Sequence, residues 1–319
     1  MGRKADKNQW SKGYHLKSGV RKPSHSFMWH PDTIKLLAKW IGFKHGQTVA
    51  DVGCGLGYLG MMYWPFFGKR GRYYGIDISP VLTRKAARVS RTWAVQGCAV
   101  FKAGDAYDLP LPDDCADIVM CQTLMIHLGD PRRALAEMMR VAKPGGLVVC
   151  QESDMISAAM AQGYDTLPER SVDETLFRHK FHILAARGRA RLGCGDYNIA
   201  PKLPAMMLSL GLTNVDARNT NKVEMMLPPY AVPEQRHAYL FDREMYTTPD
   251  WDKRYRIGMK EYKRFFIAGG GTMREFDRFA GLTSKRSVEY RAKKEQLVAG
   301  TYAEFTPRMF YVIKGSKPK

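Results

Sequence analysis

The sequence predicts an α/β fold: a seven-stranded, mostly parallel, doubly wound sheet with an N-terminal arm and helical insertions that form a lid lobe. Three observations lead there. The apolar run into Asp51 is followed by glycines at 53, 55, 57 and 60 and then by helical sequence, the pattern of a buried strand turning tightly into a helix. A second run, Tyr73 to Asp77, ends in an acid followed by Ser79-Pro80, a helix start with a side-chain cap and a proline at its first position. Further short β-type runs then alternate with helical patterns, and such alternation builds parallel sheets.

Residues 1–30 are basic and rich in aromatics and histidines, with little apolar periodicity, and read as an arm. Tyr14, His15, His25 and His30 are pocket candidates by position alone. From Pro31, the stripe Ile34, Leu37, Trp40 and Ile41 marks a helix stopped by Gly42 or Gly46. After Asp51, the glycines allow main chain to approach a ligand closely, because they lack a Cβ. The helix from Tyr58 then presents its free N–H groups to the crevice. Strand two ends in Asp77, followed by Ile78; a carboxylate there can accept both ribose hydroxyls of an adenosine cofactor, and its plainer role is a cap.

Strand three, Ala99 to Lys102, leads into Gly104-Asp105-Ala106, and strand four, Ala116 to Cys121, leads into Gln122 to His127. Asp130 reads as an N-cap before Pro131, Leu135, Met138 and Met139 as the buried side of the next helix, and Lys143-Pro144-Gly145-Gly146 as its end. Strand five spans Leu147 to Gln151. A helix at Leu203 to Leu212 precedes strand six, Thr213 to Arg218, and Met309 to Lys314 is strand seven. The division expected is an arm at 1–30, a cofactor-binding core at 31–220 with a helical insertion at about 154–194, a helical lobe at 221–304 for the substrate, and a last strand with a basic tail at 305–319.

A chain of 319 residues can bury a full α/β core and carry an extra lobe. Its six cysteines form no C-x-x-C pair and its histidines show no metal spacing, so no metal site is expected and the thiols read as reduced. No apolar run approaches the ~18 to 20 residues of a membrane span, and the basic N-terminus lacks an apolar targeting core; a cytoplasmic protein without a membrane partner is expected. The net charge of +19 suits nucleic acid, an anionic substrate or merely a basic proteome, without choosing among them.

The run Asp51-Val-Gly53-Cys-Gly55-Leu-Gly57 resembles motif I of the class I S-adenosylmethionine-dependent methyltransferases. Gly55, Gly57 and Gly60 also satisfy the G-x-G-x-x-G of dinucleotide binders. Asp51 separates the two, because an acid before the glycines suits an ammonium group and not a pyrophosphate. The resemblance implies a seven-stranded sheet with a reversed final strand, S-adenosylmethionine as cofactor and S-adenosylhomocysteine as product. It assigns cofactor contacts to Asp51, Gly53, Gly55, Gly57, Asp77, Ile78 and Cys121, with Asp105 and Ala106 as an adenine-reading loop. The series His127, Asp130, Glu137, Arg140 and Lys143 looks like the region of members that modify small molecules.

Methyl transfer is an in-line displacement, and an acceptor hydroxyl or acidic carbon also requires a base. His127, just beyond strand four, is the candidate, weighed against a packing histidine; Glu152, Asp154, His179 and His182 rank below it. Tyr14, His15, His30, Met125 and His179 are candidate substrate contacts. The expected function is methyl transfer to O, N or C of a small, anionic or aromatic metabolite. An RNA or peptide methyltransferase using the basic surface, and a non-catalytic S-adenosylmethionine-binding protein, are the alternatives. Nucleic acid is thus the second partner class, and the aromatic lobe could pair two copies into a homodimer.

Overall fold

The chain is described by a computed structural model covering residues 30–319 apart from 162, 221–222, 249–250 and 308–309. Tyr14, His15 and His25 lie outside the described residues. α1 (Pro31–Ile41) stops at Gly42, whose φ of 90° returns its N–H to the Ala38 carbonyl. β1 (Thr48–Val52) passes through the glycine turn into α2 (Tyr58–Phe67). β2 (Arg72–Asp77) leads to α3 (Pro80–Val89), where the Ser79 hydroxyl accepts from the Leu82 N–H. β3 (Cys98–Ala103), β4 (Ala116–Gln122), α4 (Pro131–Val141) and β5 (Ala142–Ser153) follow, α4 being capped by Asp130.

The chain then makes an excursion through α5 (Met155–Met160), β6 (Tyr164–Asp165) and α6 (Val172–Arg191). It returns with α7 (Leu203–Ser209) and β7 (Thr213–Asn219). A second excursion carries β8 (Val223–Met226), α8 (Pro233–Thr247), α9 (Trp251–Ala268), α10 (Met273–Thr283), α11 (Val288–Ala299) and β9 (Glu304–Pro307), and β10 (Phe310–Ser316) closes the series.

The main sheet has the order β3-β2-β1-β4-β5-β10-β7. β1 runs parallel to β2 and β4, and β10 runs antiparallel to both β5 and β7, which is the sheet expected. Strand order reverses between β1 and β4. That switch point opens a crevice beyond the carboxyl ends of the two strands, where open α/β sheets take ligands. One face of the sheet buries Val49, Tyr73, Ile118, Met120 and Val149 against Leu37 and Ile41 of α1 and Tyr63, Trp64 and Phe67 of α2. Gly60 makes that packing close: a Cβ there would lie 2.5 Å from the Tyr73 ring.

One expected boundary is corrected. Lys143-Pro144-Gly145-Gly146 does not end α4, which stops at Val141; it lies inside β5, whose pairing begins at Ala142 opposite Ala116. Gly145, at φ 76°, turns its N–H to the Lys317 carbonyl, and the β4–β5 register shifts between Ala116 and Ile118 to absorb the kink. In α3, Val89 is exposed and not on the buried side with Leu82 and Ala86.

Contacts divide the chain into two units, and both excursions, Met155–Tyr197 and Lys222–Met309, belong to the second. Its core stacks Phe181 on Phe266, with centroids 4.5 Å apart, and adds Phe265, Phe276 and Phe279. α6 and α9 meet backbone to backbone: a Cβ on Gly188 would fall 1.7 Å from the Phe265 carbonyl. The unit also holds an antiparallel sheet, β6-β9-β8, which helical periodicity gave no reason to expect. Among the described residues no helix is long and apolar enough to cross a membrane.

Candidate active site

The turn between β1 and α2 is held by the end of β2. The N–H groups of Gly53 and Cys54 both donate to the Ile76 carbonyl, at 2.8 and 3.0 Å. Asp77 then clamps the crevice rim: one carboxylate oxygen accepts from Gly55 N–H at 3.0 Å, the other from Ser79 N–H at 2.8 Å. Burial raises the Asp77 pKa, and those two N–H groups oppose the rise. Gly53, Gly55 and Gly57 have φ of 72°, 53° and 79°, left-handed values that cost other L-residues energy. Around a Cβ built on Gly55 there is nothing within 4 Å among the described residues, so they leave open space at the turn.

Asp51 sits in β1, 1% exposed. One carboxylate oxygen accepts from the Tyr73 hydroxyl, and the other has no hydrogen-bond partner among the described residues. Burial pushes its pKa up to about 7, the Tyr73 hydroxyl opposes the rise and the nearby Asp77 adds to it. A buried carboxylate oxygen without a donor is costly. A cationic group placed against it would remove that cost. The orphaned oxygen of Asp51 and the open space at Gly55 therefore fit a ligand that carries an ammonium and lies close to main chain, as S-adenosylmethionine does.

Across the switch point the loop after β4 is organised by a residue that sequence reasoning ranked low. Glu152, in β5, is fully buried, and its Oε1 accepts from the N–H groups of Leu124 and Met125, both at 2.8 Å. This holds the start of the single helical turn Met125–His127, in which His127 N–H donates to the Leu124 carbonyl. Glu152 Oε2 has no partner among the described residues, and burial raises its pKa to about 7 against the pull of those N–H groups. The available signal was an acid two residues past the apolar run Leu147 to Cys150, at a strand's carboxyl end.

The structure brings Asp51, Gly53, Gly55, Gly57 and Asp77 together at the switch point, with Ile78, half-buried, in the loop that Asp77 caps. Asp105 closes its own turn by accepting from Tyr107 N–H at 3.0 Å, with Ala106 inside it. The following loop is pinned by the E-x-x-R pair: Glu137 accepts from Leu109 N–H, and Arg140 donates to the Leu109 and Leu111 carbonyls and to Asp113. Glu137, Arg140 and the cap Asp130 thus shape loops. His127 is half-buried on the loop that Glu152 holds.

Cys121 is fully buried, with its thiol against Cys150 inside the sheet, and Met125 is also fully buried. His30 is exposed and precedes α1 without capping it through its side chain. His179 lies on α6 of the second unit. Among the described residues no cluster of metal-ligating side chains occurs.

Residues 50–150 match the family described as a methyltransferase domain. The matched stretch spans the glycine turn, Asp77, the Asp105 turn and the His127 loop. An uncharacterized methyltransferase of Schizosaccharomyces pombe is 37% identical over 123 residues, covering 37% of this chain and 44% of that protein. The ubiquinone/menaquinone biosynthesis C-methyltransferase of an Enterobacter species is 28% identical over 190 residues, 56% of this chain and 71% of that enzyme. The chain thus spans less than half the length of the first of these relatives. Among solved structures, the YcgJ protein of Bacillus subtilis shares the fold, with a TM-score of 0.50 at 18% identity over 91% of this chain and 100% of that one.

Proposed function

We propose that this chain, whose residues 50–150 are a class I methyltransferase domain, transfers a methyl group from S-adenosylmethionine to a small acceptor with a hydroxylated ring. The observation that carries the cofactor half is Asp51, buried beside the glycine turn with one oxygen lacking a donor among the described residues. The acceptor class is supported by the relative named for quinone biosynthesis. When bound, S-adenosylmethionine supplies a methyl group on a sulfonium, which an acceptor atom displaces in line.

In this reading Asp51 takes the ammonium, and the main chain at Gly53 to Gly57 accommodates the methionine portion. Asp77 keeps lone pairs for ribose hydroxyls beyond the Gly55 and Ser79 N–H groups it already accepts, and the Asp105–Ala106 turn reads the adenine edge. His127 removes the acceptor proton as general base. Glu152 is a positioning residue that fixes the His127 loop through Leu124 and Met125.

Calorimetric titration of S-adenosylmethionine and S-adenosylhomocysteine tests the cofactor half, with micromolar binding expected. Incubation with hydroxylated aromatic acceptors and mass detection of the methylated product tests the other. His127→Gln is expected to leave the cofactor Kd within about threefold and lower kcat at least about 100-fold. Unchanged kcat would remove His127 from the mechanism, and absence of binding in folded protein would remove the cofactor assignment.

A further inference from the structure

The helix α9 presents an outer face that neither the sheet site nor methyl transfer uses. At 100° per residue, Lys253, Ile257, Lys260, Lys263, Arg264 and Ile267 fall on one face of this 18-residue helix, and all are exposed. Ile257 is 64% exposed. The four cations named form no ion pair among the described residues, whereas Arg170, Arg178 and Lys293 of the same unit are each paired with acids. Glu261, also exposed, stands at the edge of this face. At the carboxyl end of α9, Ile267 joins the exposed Leu192 and Met273 in a shallow groove rimmed by Lys260, Lys263 and Arg264. The opposite side of the helix buries Phe265 and Phe266 in the core, so its orientation is fixed.

This face sets exposed isoleucines among cations that meet no acid among the described residues, Arg264 donating to the Cys194 thiol. An anionic bilayer satisfies both parts, since lipid headgroups attract each lysine or arginine near the surface and aliphatic side chains enter the acyl boundary. Single-stranded nucleic acid satisfies the cations only. It also calls for ring stacking, and the rings against which cations of this face lie are buried: Lys263 lies over Phe276 and Arg264 over Phe265. We propose that this face of α9 docks the protein on the surface of an anionic lipid bilayer. The absence of a spanning helix does not bear on this, because a surface contact needs none. The inference stands apart from the methyl-transfer reading.

The test is co-sedimentation of the full chain with vesicles of phosphatidylcholine alone and of three parts phosphatidylcholine to one part phosphatidylglycerol. Binding to the anionic vesicles is expected to be at least tenfold stronger than to the neutral ones and to weaken with salt. Lys260→Glu with Arg264→Glu is expected to weaken it at least a further tenfold, and Ile257→Ser with Ile267→Ser several-fold at salt that screens charge. Circular dichroism and melting curves establish that each variant is folded. Equal binding to both vesicles, no binding to either, or unchanged binding by the folded charge-reversal variant would overturn the proposal. Stronger retention by tRNA than by vesicles, or self-association lost in the isoleucine variant, would also overturn it and give the face to nucleic acid or to a second copy.

Discussion

In the second unit, the half-buried Lys293 meets Asp242 at 3.1 Å and Glu304 at 3.7 Å, and Arg178 meets both Glu174 and Glu289 at 2.7 Å. In the sheet unit, Asp51 and Glu152 are sealed from solvent, and no cation pairs with either among the described residues. The titration of these groups shows the contrast. Burial alone would lower the Lys293 pKa, but Asp242, the Tyr246 and Tyr302 hydroxyls and Glu304 reverse this and hold it above the usual lysine range. Burial raises Asp51 and Glu152 to about 7 because nothing of opposite charge offsets it. The second unit sets Lys293 and Arg178 against acids of its own. The other carries an uncompensated charge at its switch point, which a cationic ligand would complete.

The largest effect should come from breaking the paired side. Lys293→Met leaves the half-buried Asp242 and Glu304 without their cation, and the expected loss is about 1.5 to 3 kcal/mol of unfolding free energy, read from urea denaturation. Cofactor affinity of the remaining folded protein should not change. A loss below about 1 kcal/mol would mean that the pairing contributes little and that the contrast between the units is only geometric.

Asp51→Asn should act in the opposite direction on stability. The amide oxygen can still accept from the Tyr73 hydroxyl, but the buried charge is gone. A carboxyl raised from its ordinary range to about 7 contributes stability that is fully present below the unfolded pKa and is lost as pH rises through 7. The variant should therefore melt a few degrees higher than wild type at pH 8 and show no gain at pH 4. Its S-adenosylmethionine affinity should fall about 10- to 100-fold, the worth of a hydrogen bond to a charged group. In wild type that affinity should weaken as pH falls below 7, and in the variant this pH dependence should be absent.

Much of the sheet unit was legible because its signals are local. The glycines after Asp51, Ser79 before Pro80 and Asp130 before Pro131 are each read within a few residues, and each formed the turn or cap expected. What was not legible depends on distance along the chain. The partners of Glu152 are 28 and 27 residues away, and Tyr73 reaches Asp51 across 22. Lys143-Pro144-Gly145-Gly146 misled because proline and glycine after a helix usually mark its end, whereas here pairing with β4 takes over at Ala142. β6 has two residues and pairs with β9 some 140 positions later, too short and too distant for periodicity to register.

Glu152 provides a smaller test on the unpaired side. Glu152→Gln keeps an acceptor for the Leu124 and Met125 N–H groups but does not titrate. If the ionised carboxylate fixes the His127 loop, wild-type kcat should fall about two- to threefold as pH drops through 7, on the basis that charge-assisted hydrogen bonds are about twice as strong as neutral ones. The variant should lack that contribution, and its cofactor Kd should match wild type. A wild-type profile retained in the variant would assign the titration to another group.

The smallest expected change in stability is at Gly55, and it separates the cost of the turn from the space reserved beside it. Alanine at φ 53° costs about 1 to 2 kcal/mol for a left-handed conformation, but meets no atom of the described residues within 4 Å. Gly53→Ala pays the same backbone cost and also places its Cβ 2.9 Å from Leu124 Cδ1. In the free protein, Gly55→Ala should therefore be the milder change, with a melting temperature above that of Gly53→Ala. If the open space at Gly55 is where the ligand lies against main chain, Gly55→Ala should nevertheless lose at least about tenfold in S-adenosylmethionine affinity, ~1.4 kcal/mol. Unaltered affinity would place the ligand elsewhere on the turn and leave Asp51 as the single feature pointing to a cation.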